Sequence, residues 1–158
     1  MRIVAAEKND YLQLVEIWEV SVRATHDFLS EEDIQFFKPL ILHEYLAAVD
    51  LYCMVDASDG MHGFLGVAER KIEMLFLAPQ SRGKGIGRML LEFAIAELGA
   101  NKVDVNEQNP AAVGFYEHMG FKTLSRSPVD GAGKPFPLLH MAIEPSDWET
   151  TSGSWANF

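Results

Sequence analysis

Apolar and polar positions along the chain change period several times, and each change marks an element. Ile3-Val4-Ala5 is a short apolar run ahead of the polar stretch Glu7 to Asp10, which predicts a first strand. From Tyr11 to Arg23, Leu14, Ile17, Trp18 and Val22 recur at three- and four-residue spacing, the stripe of a helix that buries one face and is capped near Asn9 or Asp10. Ser30, followed by Glu31, Glu32 and Asp33, starts a second helical segment, since a serine cap and an acidic first turn both suit the positive end of a helix. Pro39 predicts a break there, with resumption over Leu40 to Ala48. Ala24 to Leu29, between the helices, reads as a loop.

The middle of the chain reads as strands. Leu51 to Val55 and Gly63 to Val67 are apolar runs joined by the turn-rich Asp56-Ala57-Ser58-Asp59-Gly60, an antiparallel hairpin, and Ile72 to Leu77 follows as a third strand. After Pro79 the period returns to helical: Ile86, Met89, Leu90, Phe93, Ala94 and Leu98 describe one apolar face, and Gly99 ends it. Lys102 to Val105 is a further strand, Pro110 to Met119 a helix with proline in its first turn and Gly120 as its stop. Lys122 to Arg126 and Leu138 to Ile143 supply two more strands around the loop Ser127 to Pro137. The expectation is one domain over residues 1–145 and a polar C-terminal tail over 146–158, read as a frayed terminus.

Length and composition agree with this reading, because 158 residues with 48% apolar content close one core. No apolar stretch approaches the roughly 20 residues of a membrane span, and Met1 to Val4 runs at once into charge, so neither a membrane partner nor a signal peptide is expected. A single cysteine, Cys53, permits a reducing compartment, and cytoplasmic is the default; buried mid-strand, it is an ordinary core thiol rather than an acyl carrier. A net charge of -10 argues against nucleic acid as a partner and favours cationic ones. Five histidines show no close pair at ligand spacing, so no metal is expected.

Against that acidic background, Arg82, Lys84 and Arg88 fall within seven positions, in a loop with three alternating glycines between a strand and a helix. Backbone N–H groups at such a helix start lack intrahelical acceptors and point outward together, and glycine lets phosphate oxygens approach closely. A Walker loop does not fit, because Gly85 follows Gly83-Lys84 where Ser or Thr is needed. A dinucleotide fingerprint has Asp104 at a suitable distance for a ribose, but five residues separate Leu77 from the first glycine and Arg88 stands where the third glycine would fall. A plain helix-capping glycine turn stays open.

Arg82-x-x-Gly85-x-Gly87 resembles the pyrophosphate-binding signature of the GNAT N-acetyltransferase superfamily, and Asn109-Pro110-Ala111-Ala112-Val113-Gly114-Phe115-Tyr116-Glu117-His118-Met119-Gly120-Phe121 is similar to that family's second motif. The likeness covers Ile72 to Phe121 closely and the first half only as an order of elements. Thr25 to Leu29 and Gly133 to Leu139 further resemble a bacterial subgroup of small acetyltransferases of the YjaB type.

The resemblance implies an α+β fold: a central mixed, mostly antiparallel twisted sheet with a splayed parallel pair and helices on both faces. It implies transfer of an acetyl group from acetyl-CoA, a co-substrate, to a primary amine by direct attack in a ternary complex; a non-catalytic acyl-CoA sensor is the alternative. Leu75, Phe76 and Leu77 would pair with the pantetheine arm, the backbone of Arg82, Gly83, Lys84, Gly85, Ile86, Gly87 and Arg88 would hold the pyrophosphate, and Asn109 would bond the pantetheine chain or simply cap its helix. Tyr116 is the candidate general acid, with a core-filling role as its alternative. Glu73 is the candidate base and His26 the second choice, while His26, Asp27, Phe28 and His140 are candidates for contacting the acceptor. That acceptor is a small-molecule, peptide or protein amine, and a homodimer is compatible with the aromatic residues of the tail.

Overall fold

The computed structural model describes residues 1–143; the tail expected over 146–158 lies outside them. Seven strands make one mixed sheet in the order β1-β2-β3-β4-β5-β7-β6. They are β1 (Arg2–Ala5), β2 (Asp50–Val55), β3 (Met61–Ala68), β4 (Lys71–Leu77), β5 (Lys102–Asn106), β6 (Lys122–Ser127) and β7 (Leu138–Ala142). Every neighbouring pair is antiparallel except β4 and β5, which is the α+β arrangement expected from the sequence.

Helices cover both faces because the strands carry two apolar sides. Helices α1 (Tyr11–Thr25) and α2 (Glu31–Leu40) pack Leu14, Trp18 and Phe37 against Phe64, Met74 and Phe76. Helices α3 (Ile86–Leu98) and α4 (Pro110–His118) place Ile86, Leu90, Leu91 and Tyr116 against Leu65, Ile72, Val103 and Val105. The change of face along β4 has a local cause. Met74 pairs with Gly66 and Ile72 with Val67, so Glu73 is an extra residue, a β-bulge that resets the alternation of side chains.

Two expectations are corrected. Helix α2 runs through Pro39 and continues without interruption into a wider turn, Ile41–Tyr45, and a tight one, Leu46–Ala48. Proline removes one hydrogen-bond donor, yet Phe37, Ile41 and Leu46 are all buried on either side of it, and that burial holds the helical path. Met89, expected on the buried face of α3, is 40% exposed, while Leu90 and Ala94 carry the contact.

Candidate active site

The parallel pair is joined at one end only. Lys71 and Ile72 of β4 are in register with Lys102 and Val103 of β5, and there the pairing stops. Beyond it β4 remains bound to β3 as far as Leu77, whereas β5 continues against β7. The strands therefore diverge into a wedge, and one edge of residues 73–77 has no strand alongside it. A cavity of about 380 Å³ fills the wedge, lined on one side by Glu73 to Leu77 and on the other by Val103, Asp104 and Val105.

At the open end lies the glycine loop. A tight turn, Pro79–Ser81, leads into Arg82, and Gly83 and Gly85 adopt φ of 75° and 78°, the left-handed region that glycine enters without strain. No heavy atom stands within 4 Å of where a Cβ would project from either glycine. The space is an open cradle. The first bond of α3 joins the Met89 N–H to the Gly85 carbonyl, and among the described residues no protein acceptor meets the N–H groups of Gly83 through Arg88. These donors cluster beside the cavity at the positive end of a helix, the chemistry that a diphosphate requires. Gly87 differs: its φ is ordinary, and a Cβ there would touch Leu77 at 3.5 Å and Phe115 at 3.7 Å.

Tyr116, Glu73 and His26 are among the buried polar side chains that line the cavity. Tyr116 is packed edge-on against Phe115 and Phe121, and burial pushes its phenol far above the usual value, so it is protonated at any working pH. Glu73, at the bulge, is 3% exposed. His26 ends α1, and its tautomer follows from its neighbours. The Thr25 hydroxyl donates to the Ser21 carbonyl at 2.8 Å, which leaves its oxygen to accept from His26 Nδ1–H at 2.7 Å. The lone pair is then on His26 Nε2, which is buried and has no partner. Burial, with the Arg82 charge adding to it, pushes the imidazole down to about 4, so the lone pair is available throughout the neutral range. Asn109 caps α4 by accepting from the Ala112 N–H at 3.3 Å and also lines the cavity.

The structure thus brings together His26, Glu73, Leu75, Phe76, Leu77, Arg82, Gly83, Gly85, Ile86, Gly87, Arg88, Asn109 and Tyr116 around one space. Lys84, Asp27, Phe28 and His140 are not part of its lining. Lys84 and Asp27 are exposed. Phe28 stacks obliquely between His26 and Phe136, joining the loop 24–29 to the loop 127–137. His140 lies one strand away, bridging Asp104 Oδ1 and Ser127 Oγ at 2.7 and 2.6 Å. Asp104, weighed above as a ribose ligand, is instead buried and ion-paired with Lys71, whose charge lowers its pKa against the cost of burial. Sequence reasoning missed Ser21 and Thr25; their four-residue spacing, ending beside His26, was the available signal.

A family model described as "Acetyltransferase (GNAT) domain" matches residues 26–144. The chain is a GNAT acetyltransferase. It is similar to the peptidyl-lysine N-acetyltransferase YjaB of Escherichia coli strain K12, with 43% identity over 130 residues, 82% of this chain and 88% of that protein. The solution structure of apo-form YjaB from Escherichia coli superposes with a TM-score of 0.81 at 40% identity, covering 90% of this chain and 97% of the other. The PaiA N-acetyltransferase of Thermoplasma acidophilum, solved in complex with coenzyme A, shares the fold at 23% identity and a TM-score of 0.65, over 90% of this chain and 99% of that one. This acetyltransferase is therefore an enzyme that uses acetyl-CoA to acetylate an amine. The cradle of exposed N–H groups and the unpaired edge of β4 are of the kind a nucleotide diphosphate and an amide-bearing arm need. No helix among the described residues is long and apolar enough to cross a membrane, and no group of three or more His, Cys, Asp or Glu among them is placed to hold a metal.

Proposed function

We propose that this acetyltransferase delivers its acetyl group directly to the ε-amine of lysine side chains in peptides or proteins, within a ternary complex. The observation that carries the reading is the identity to a peptidyl-lysine N-acetyltransferase along most of both chains; the net charge of -10 suits a cationic acceptor. A lysine amine, with a pKa near ~10.4, arrives protonated and must lose a proton before it attacks. Glu73 and the His26 Nε2 lone pair are the groups able to take it, and both sit on the cavity wall. Tyr116, kept protonated by burial, supplies the proton for the departing thiolate. An N–H of β4 near Leu75 polarises the acetyl carbonyl, and Asn109 bonds the pantetheine arm. Arg82 to Arg88 hold the pyrophosphate, chiefly by backbone. A cytoplasmic enzyme of one domain over residues 1–145 accords with its single cysteine, and Phe28 and Asp27 border the acceptor without entering the transfer cavity.

The test is incubation of the purified enzyme with acetyl-CoA and lysine-containing peptides, following free thiol and peptide mass, with spermidine in a parallel arm. Acetylated lysine with stoichiometric thiol release is the expected result. Thiol release with spermidine alone would overturn the peptide assignment.

A further inference from the structure

The pyrophosphate loop is unusually unsupported. Between Ser81 and Ile86 all four residues are exposed, two have positive φ, and nothing packs where Cβ atoms of Gly83 and Gly85 would be. Its shape is held from its ends. At one end Ile86 is buried in the core of α3. At the other, Ser81 is 1% exposed and its Oγ lies 2.7 Å from His62 Nδ1. The His62 Nε2 is in turn 2.7 Å from Asp56 Oδ2, while Asp56 Oδ1 accepts from the N–H groups of Ser58 and Gly60. A chain of side chains thus runs from the β2–β3 turn to the residue immediately before Arg82, and the His62 carbonyl also accepts from the Ala78 N–H at 3.0 Å.

We propose that His62 and Ser81, braced by Asp56, are positioning residues for acetyl-CoA: they fix the entry to the pyrophosphate loop so that its N–H groups converge before the ligand arrives. Asp56 accepts only, so His62 Nε2–H donates to it, and His62 Nδ1 is left to pair with the Ser81 hydroxyl. Cutting the Ser81 link leaves the loop free at one end, and binding then bears the cost of ordering it, which lowers affinity without altering the reacting groups. The second Asp-His-Ser chain of the molecule, Asp104-His140-Ser127, ends on an edge strand and touches no part of this loop.

Two amide replacements separate positioning from stability. Asparagine places its amide near the Nδ1 position and keeps the link to Ser81; glutamine reaches the Nε2 position and keeps the link to Asp56. Coenzyme A affinity is measured by calorimetry on the full chain, alongside the melting temperature without ligand. Ser81→Ala and His62→Gln are expected to weaken CoA binding about tenfold, with kcat at saturating acetyl-CoA unchanged, whereas His62→Asn stays within about twofold of the parent even where it melts lower. The proposal is overturned if affinity simply follows melting temperature across the three variants, if His62→Asn binds as weakly as His62→Gln, or if His62→Gln and Ser81→Ala bind as the parent does. Because binding of CoA is read directly, the result does not depend on which amine is the acceptor.

Discussion

The two flanks of the wedge are built from different materials. On the α3–α4 flank, the binding elements are backbone: left-handed glycines, unbonded N–H groups at a helix start, and a strand edge with no neighbour. On the α1–α2 flank they are side chains, with His26 oriented by Thr25, Glu73 set at a bulge, and Phe28 resting on Phe136. Backbone cradles recognise what every acyl-CoA has in common, a diphosphate and an amide-bearing arm. Side chains, which can change rotamer, adjust to whatever amine is to be acetylated. The contrast predicts that perturbing the backbone cradle changes whether acetyl-CoA binds at all, while perturbing the side chains around the cavity, Tyr116 of α4 included, changes what is done with it.

The sharpest way to break that contrast is at the glycines. Gly85→Val puts a branched Cβ at φ 78° and into the cradle. With two or more of the charge-assisted N–H bonds to the diphosphate broken, CoA affinity should fall by about 10³-fold. Gly87→Ala, whose Cβ meets only ordinary van der Waals neighbours, should bind CoA within a few-fold of the parent; an equal fall at both positions would mean that steric fill, not backbone conformation, governs the loop. Next in size is Tyr116→Phe, expected to lower kcat by about 10²-fold with CoA affinity preserved; a loss of affinity instead would reduce Tyr116 to a packing residue.

The third effect is on stability. The native His26 titrates near 4 against 6.5 for a free imidazole, so between those values the unfolded chain binds a proton that the native one does not. Stability is therefore fully present above pH 6.5 and declines as pH falls toward 4, by about 3 kcal/mol at most. Urea midpoints for the parent and His26→Gln should converge in that window as the parent weakens, and parallel curves would show that His26 titrates alike in the folded and unfolded chains. Smallest is Arg82→Ala, an exposed cation at the cradle's rim, which should weaken CoA binding only about three- to fivefold. A loss larger than that of Gly85→Val would reverse the ranking of backbone over charge.

How much of this was legible in the sequence follows the same division. The strands, helices and glycine loop could be read because periodicity and glycine spacing are properties of the backbone path. Wedge and cradle followed from the resemblance of residues 72 to 121 to a known family. The α1–α2 flank was harder. Pro39 suggested a break that burial of Ile41 and Leu46 overrides, and no local pattern announces that Glu73 is a bulge, since this depends on how Gly66 and Val67 are paired. For Ser21, Thr25 and His26 the four-residue spacing could be read, but the tautomer it sets could not, because that depends on hydrogen-bond direction, which composition does not carry. His140 was placed on the correct late strand, yet its partners, Asp104 and Ser127, come from two different neighbouring strands.

The one-ended joint between β4 and β5 has a last consequence. Where Ile72 meets Val103 the gap closes completely, so anything sliding in from the glycine loop comes to a blind stop. With the proposed site, a slot of that kind would work as a depth gauge: a diphosphate anchored at the loop would fix one end of the arm, the zipped strands would limit the other, and the span between them would set where the sulfur comes to rest.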